Sequence, residues 1–268
     1  MPKKPKQELT ADRHQMVAQH NELIRHSRNQ LTALEQNIVH FLFSKVKPND
    51  KDFMRVHFTA EEFCEICGLS TEGGRNMQDI KAALKSVADK SAWGVGRSEK
   101  GKKYETLVRW VDTYVIHPDS GKMEAVLSQS IKPFLIGLIE KGNYTQAELV
   151  GFLAMNSVYS KRLYELLKSY VKNKYPEMLS PTKKEFELEE LKNLVNADSY
   201  SNYGNLKKRV LDPAMKEINT VGDIFVSYET AKRNGRAVSH VIFTVQAKDS
   251  VERCKAWAEA EKALDGAK

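Results

Sequence analysis

YSNYGNLKKRVLDPAMKEIN, residues 200–219, and VGDIFVSYETAKRNGRAVSHVIFTV, residues 221–245, decide how the chain is read. In the first stretch Leu206, Val210, Ala214 and Ile218 recur every four residues, which predicts one buried face of a helix. Lys207, Lys208 and Arg209 fall largely off that stripe. Pro213 inside the helix removes a backbone donor and predicts a bend near Leu211. In the second stretch Ile224, Val226 and Tyr228 alternate, as do Val241, Phe243 and Val245, the pattern of half-buried strands. Between them lies a turn, Lys232-Arg233-Asn234-Gly235-Arg236, with three cations. A basic helix followed by a hairpin with a basic tip is the layout of a winged helix. In that layout the helix enters a DNA groove and the wing touches the backbone.

The residues at the start of such a helix face base edges. Here they are Asn202, Tyr203, Asn205, Lys207, Lys208 and Arg209. Asn pairs with adenine and Arg with guanine in the major groove, whereas Lys serves better as a point charge for phosphate. The hairpin tip, with Lys232, Arg233 and Arg236, suits phosphate or the minor groove. The plainer accounts are a solvated cationic helix face and an edge kept soluble by charge. Charge favours DNA: residues 201–248 carry eight Lys/Arg against four Asp/Glu, more than half of the chain's net +7 in under a fifth of its length.

The rest of the chain bounds the setting. Its 268 residues suffice for two ordinary domains, and 41% hydrophobic with 29% charged residues is the balance of a soluble globular protein. No apolar run approaches the roughly 20 residues of a membrane span. MPKKPKQELTADRH has cations but no following apolar stretch, so no secretory signal is read there. Three cysteines form no even disulfide framework, and the expected location is the cytoplasm.

In order, residues 1–20 read as a disordered basic arm, with NELIRH at 21–26 a candidate strand. Thr32 and Glu35, and again Thr59 and Glu62, have capping-box spacing and open helices. Residues 53–58 alternate as a strand, and 76–93 read as a longer helix broken by Gly94, Gly96 and Gly101. Residues 106–116 and 123–128 form a hairpin around Pro118-Asp-Ser-Gly121. The second half repeats the order: a strand near 144–150, a helix over 157–171, a strand-like Phe186, a short helix, then the opening helix and hairpin. Shifted by 128, Phe58, Glu61, Glu62, Phe63 and Ile66 fall on Phe186, Glu189, Glu190, Leu191 and Leu194. The expected fold is α+β: two tandem winged-helix domains, each a helical cluster with a β-hairpin wing. They span 21–140, for dimerisation and DNA backbone contact, and 141–248, for sequence-specific binding. Residues 249–268 are read as a charged, solvated tail helix. A single α+β domain is the alternative.

Three segments resemble the replication initiator proteins of theta-replicating plasmids, which bind repeated origin sequences called iterons. They are LTALEQNIVHFLFSKVKPND at 31–50, YSKRLYELLKSY at 159–170, and LKKRVLDPAMKEIN at 206–219 with the hairpin after it. The resemblance spans most of 21–246. It implies two winged-helix domains, iteron and operator binding, and a monomer–dimer balance in which the first domain supplies the dimer contact. It also implies contacts with host replication proteins such as a helicase or initiator.

Other candidate contacts are weaker. The first domain's equivalent helix has Arg75, Asn76, Lys81 and Lys85, and its following loop Arg97, Lys100, Lys102 and Lys103. These suit the DNA backbone more than bases, since Asp79 and Asp89 dilute the charge. Lys161 and Arg162 either contact phosphate or pair with Glu165. Trp110 and Tyr114 read as core. Cys64-Glu-Ile-Cys67 lacks the further ligands of a structural zinc site and reads as packing. No metal or cofactor is expected.

Enzyme readings lack their motifs. There is no P-loop, Gly94-Val-Gly96 lacks the rest of a dinucleotide fingerprint, and the seven histidines contain no His-x-His pair for a nickase. The expected function is therefore binding: a sequence-specific double-stranded DNA-binding initiator of plasmid replication that also regulates its own gene. A winged-helix transcriptional regulator and a scaffold that does not bind DNA are the alternatives.

Overall fold

The computed structural model describes residues 12–53, 55–70, 75–97, 103–117, 120–171, 180–232, 235 and 237–266. The chain enters on strand β1 (Met16–His20) and passes directly into helix α1 (Asn21–His26). Two expectations change here. The end of the presumed arm is a paired strand, and NELIRH is a helix that buries Leu23 and Ile24. Strand β2 (Ser27–Arg28) leads to α2 (Ala33–Ser44). The Thr32 capping box is formed: Thr32 Oγ1 accepts the Glu35 N–H at 3.3 Å, and Glu35 accepts the Thr32 N–H at 2.7 Å. Strand β3 (Val56–Thr59) and α3 (Ala60–Ile66) follow, with the second box at Thr59. Helix α4 (Arg75–Asp89) stops earlier than its pattern suggested, and Ser91–Arg97 is strand β4, paired with β5 (Lys103–Arg109). A bend at Trp110 separates β5 from β6 (Val111–Ile116), so the expected long strand is two; β7 (Lys122–Leu127) follows.

After a short α5 (Leu138–Lys141) come β8 (Tyr144–Glu148), α6 (Leu149–Ala154) and α7 (Val158–Lys168). Then come β9 (Thr182–Glu187), α8 (Leu188–Leu194), α9 (Tyr203–Leu206) and, beyond a π-helical turn, α10 (Asp212–Val221). Strands β10 (Ile224–Ala231) and β11 (His240–Ala247) form the hairpin, and α11 (Ser250–Asp265) closes the chain.

The repeat is more regular than one sequence window suggested. At the same offset of 128, β1 and α1 fall on β8 and α6, and α3 falls on α8. The start of α4 falls on the start of α9. The sheets β3-β7-β6 and β9-β11-β10 have the same strand order. Two tandem winged helices are therefore present, with β6–β7 the first wing and β10–β11 the second. Strands β1 and β8 pair antiparallel, and Ala18 faces Gln146, its own counterpart at that offset. A local two-fold thus relates the units where they join. The β4–β5 hairpin, which adds to β2, distinguishes the first unit.

One continuous hydrophobic core runs through both units. The tail helix belongs to it, contrary to the solvated reading: Ala256, Ala260 and Leu264, a four-residue stripe, are buried. Gly68 makes room for it. Its φ is +68°, and a Cβ there would lie 2.0 Å from the Leu264 carbonyl oxygen. Arg13 fastens the same end, donating to the carbonyls of Glu65 and Ile66 at 2.7 Å each and pairing with Glu261 and Asp265.

Candidate nucleic-acid interface

The second unit's helix is built around Pro213. Proline has no N–H and its ring clashes with the carbonyl four residues back, here that of Arg209. The backbone answers with a π-helical turn over Lys207–Leu211, closed by the Asp212 N–H on the Lys207 carbonyl, five residues back. The bend expected at Leu211 takes this form. Leu206, Val210, Ala214 and Ile218 are buried as their spacing indicated, and Leu211 and Met215 join them.

Outside that stripe the helix presents polar groups. Asn202 caps it, its side-chain oxygen accepting the Gly204 N–H at 2.7 Å and the Asn205 N–H at 3.4 Å. Asn205, Lys208 and Arg209 are exposed, and among the described residues no ion pair holds either cation. Tyr203 is half-buried against the wing. Lys207 differs from its neighbours. Its Nζ lies 2.9 Å from both carboxylate oxygens of Asp212 and 3.3 Å from the Tyr228 hydroxyl. Tyr228, on β10, donates to Asp212 at 2.6 Å. The hydrogen bond from Tyr228, then that from Lys207, lower the Asp212 pKa; Asp212, then Tyr228, raise that of Lys207. Sequence reasoning placed Tyr228 only as a core-facing strand residue and gave Asp212 no role. The i,i+5 spacing of Lys207 and Asp212 is not a neighbour relation in an α-helix.

In the wing, Lys232 is exposed at the end of β10. Arg233 and Arg236 lie outside the described residues. In the first unit Arg75 and Lys85 are exposed on α4 and Lys81 is half-buried. Asn76 is already engaged, its amide donating to the Ser70 carbonyl at 2.7 Å. Lys100 and Lys102 lie outside the described residues.

Lys161 and Arg162 are not phosphate contacts; both are buried in the middle of the protein. Helix α7 is enclosed by α1, α2, α10 and β11, so its polar side is interior as well. The Lys161 ammonium donates to the Phe152 carbonyl. Arg162 donates to the carbonyls of Leu194, Ile24 and Ser27 and sits 3.6 Å from Glu165, the pairing that was the second reading of its sequence. Burial alone would raise the Glu165 carboxyl, but the His40 ring, Arg162 and Gln19 bring it down to about 2. Cys64 and Cys67 are buried, and burial raises their thiols to about 11 and about 12.

Burial lowers the Lys161 pKa to about 7. The unfolded chain binds this proton up to the ordinary lysine value of about 10.5, so between those limits the unfolded state holds more protons and stability rises with pH. The buried thiols act oppositely, but only above about pH 9, the ordinary thiol value. Urea titrations at pH 7, 8 and 9 are expected to show wild type gaining on Lys161→Met as pH rises. Parallel curves would show that the amine does not lose its proton on burial.

Comparison with known proteins fits this layout. The family model described as Initiator Replication protein, WH1 matches residues 16–168, and that described as Initiator Rep protein, WH2 matches residues 187–245. The "PI protein" of Escherichia coli is 25% identical over 190 residues, which cover 64% of this chain and 60% of that protein. The crystal structure of a Pi initiator protein in complex with iteron DNA superposes with a TM-score of 0.70 at 19% identity, covering 88% of this chain and 99% of that one. That likeness confirms the fold, and the two family models together match well over half the chain. The chain belongs to the plasmid replication initiator (Rep) family, with two winged-helix domains, WH1 and WH2; the WH1 match runs through β8, α6 and α7 to residue 168, past the boundary at 140 expected from sequence.

Proposed function

We propose that this protein initiates plasmid replication by binding double-stranded origin repeats with both winged helices, the second reading their sequence. The observation that carries the reading is the exposed row Asn205, Lys208 and Arg209, its two cations without ion pairs among the described residues, in a Rep-family chain whose wing is basic in sequence. Arg209 and Asn205 suit base edges and Lys208 suits phosphate. Asn202 and Tyr203 flank them at the helix start, with the Asn202 oxygen spent on the cap. Arg75, Lys81 and Lys85 of the first unit suit backbone contact. The local two-fold supports the division, because it places a second helix and wing beside the first in one chain.

A homodimer is part of the proposal. Trp93 and Leu107 face each other across β4 and β5 and are 58% and 44% exposed, an apolar pair on the outer face of the added hairpin. Binding of a host helicase or initiator and repression of the chain's own gene complete the reading.

Footprinting on an origin fragment tests it. Protection of tandem direct repeats about two helical turns apart, roughly 20 bp, is expected of an initiator. Protection of a lone palindrome would point to a transcriptional regulator, and no salt-dependent binding to a scaffold. Replacing Lys232, Arg233 and Arg236 together by alanine is expected to weaken binding to all duplexes. It should also flatten the slope of log K against log salt by up to about 2.7, at roughly 0.9 per phosphate contact. An unchanged slope would remove the wing from the interface.

A further inference from the structure

The sequence offers Lys207, Lys208 and Arg209 together as DNA contacts; the structure separates them. All three are exposed, but among the described residues only Lys207 is in an ion pair, held at the edge between helix and wing by Asp212 and Tyr228. The π turn makes this possible. An α-helix sets residues five apart about 140° around the axis, from about 100° per residue, whereas a π turn returns after five. Pro213 accounts for that turn, so one proline gives a surface lysine an intramolecular counter-ion.

We propose that Asp212 is a specificity-determining residue that keeps Lys207 out of the DNA contacts, while Tyr228 fixes the wing to the helix through the same carboxylate. This rests on the DNA-binding reading above and says how that site is regulated by its own charges. Phosphate contacts strengthen binding to every duplex alike, whereas base contacts discriminate. A helix that withholds one cation from phosphate loses non-specific affinity and keeps its base contacts.

An exposed ion pair is weak, so a DNA phosphate is a serious competitor for Lys207. Two features oppose the exchange. Lys207 reaches both carboxylate oxygens and the tyrosine hydroxyl at once. Its departure would also leave the Asp212 carboxylate unneutralised beside the phosphates, adding repulsion between like charges.

The test measures log K against log salt on a random-sequence duplex and on an origin-repeat duplex, for full-length wild type, D212N, K207A and D212N/K207A. The expected result has three parts. K207A lowers affinity for both duplexes through the bared Asp212 carboxylate but loses no phosphate contact, so its slope does not fall by the roughly 0.9 of a lost contact. D212N steepens it by about 0.9, one added phosphate contact, and raises random-duplex affinity more than repeat affinity. The double variant returns to the wild-type slope. A K207A slope flatter than wild type by about 0.9 would overturn the inference, since Lys207 would then be a phosphate contact already. A purely structural role for Asp212 predicts a lower melting temperature and no change in slope, which also overturns it. Should D212N fail to fold, K207A alone decides. A flat wild-type slope would overturn the DNA-binding reading itself, an outcome distinct from a steep wild-type slope that K207A reduces.

Discussion

Arg162→Ala is expected to cost about 3–5 kcal/mol of folding stability, the usual consequence of removing one partner from a buried, hydrogen-bonded charge pair. The guanidinium donates to Leu194 O at 3.0 Å, Ile24 O at 2.7 Å and Ser27 O at 2.6 Å. Those carbonyls lie at the end of α8, in the last turn of α1 and at the start of β2, so one side chain of α7 ties the second unit to the first. Its loss also strips Glu165 of a cation, leaving His40 and Gln19, each 2.8 Å away, as its remaining partners. Against a total stability of about 5–15 kcal/mol, such a loss leaves a marginal protein. Arg162→Lys is expected to rescue little, because an ammonium cannot reproduce a planar fork that reaches three carbonyls. Urea denaturation measures both variants. An unchanged midpoint with weakened DNA binding would return Arg162 to the surface role its sequence also allowed.

This residue shows what the sequence left illegible. Leu163, Leu166, Leu167 and Tyr170 mark an apolar side of α7 and leave Lys161, Arg162, Glu165 and Lys168 where an amphipathic helix keeps its solvated face. All four are buried. Hydrophobic period reports one packed face and is silent about a helix enclosed all round, whose polar residues find partners on the surrounding elements. The β4 strand was hidden in a different way: residues 76–89 keep helical spacing into Ser91, and nothing local announces that Ser91–Arg97 will pair with β5. The local signals were reliable where the chemistry is local. Both threonine capping boxes form, and the stripe from Leu206 to Ile218 is buried as spaced. The repeat was legible because Phe58 and Phe186, and Phe63 and Leu191, occupy matching core positions in units of the same order. The Lys207–Asp212 pair was not, since it depends on a π turn that follows from Pro213 only once the helix is known to continue through it.

Arg209→Ala is expected to lower affinity for the origin repeat about tenfold to a hundredfold, the 1–3 kcal/mol of one bidentate base contact. Random-duplex affinity should fall far less. Arg209 is exposed in the π turn next to Val210, whose side chain is 1% exposed and holds that part of the backbone to the core. The guanidinium is therefore carried on a rigid base, and its fork matches the two acceptors of a guanine edge. Among the described residues it has no ion pair like the one that occupies Lys207, so none of those must be broken for it to reach DNA. Stability should change by less than about 0.5 kcal/mol, as for most surface substitutions, which separates a recognition effect from a folding one. Lys208→Ala supplies the contrast: an adjacent cation serving phosphate weakens repeat and random duplexes alike and lowers the salt slope by about 0.9. Systematic base changes in the repeat complete the argument. If Arg209 reads a guanine, the variant loses discrimination at that one position and keeps it elsewhere. Equal loss on both duplexes would make Arg209 a backbone contact and shift the reading of sequence toward Asn205 and the start of the helix.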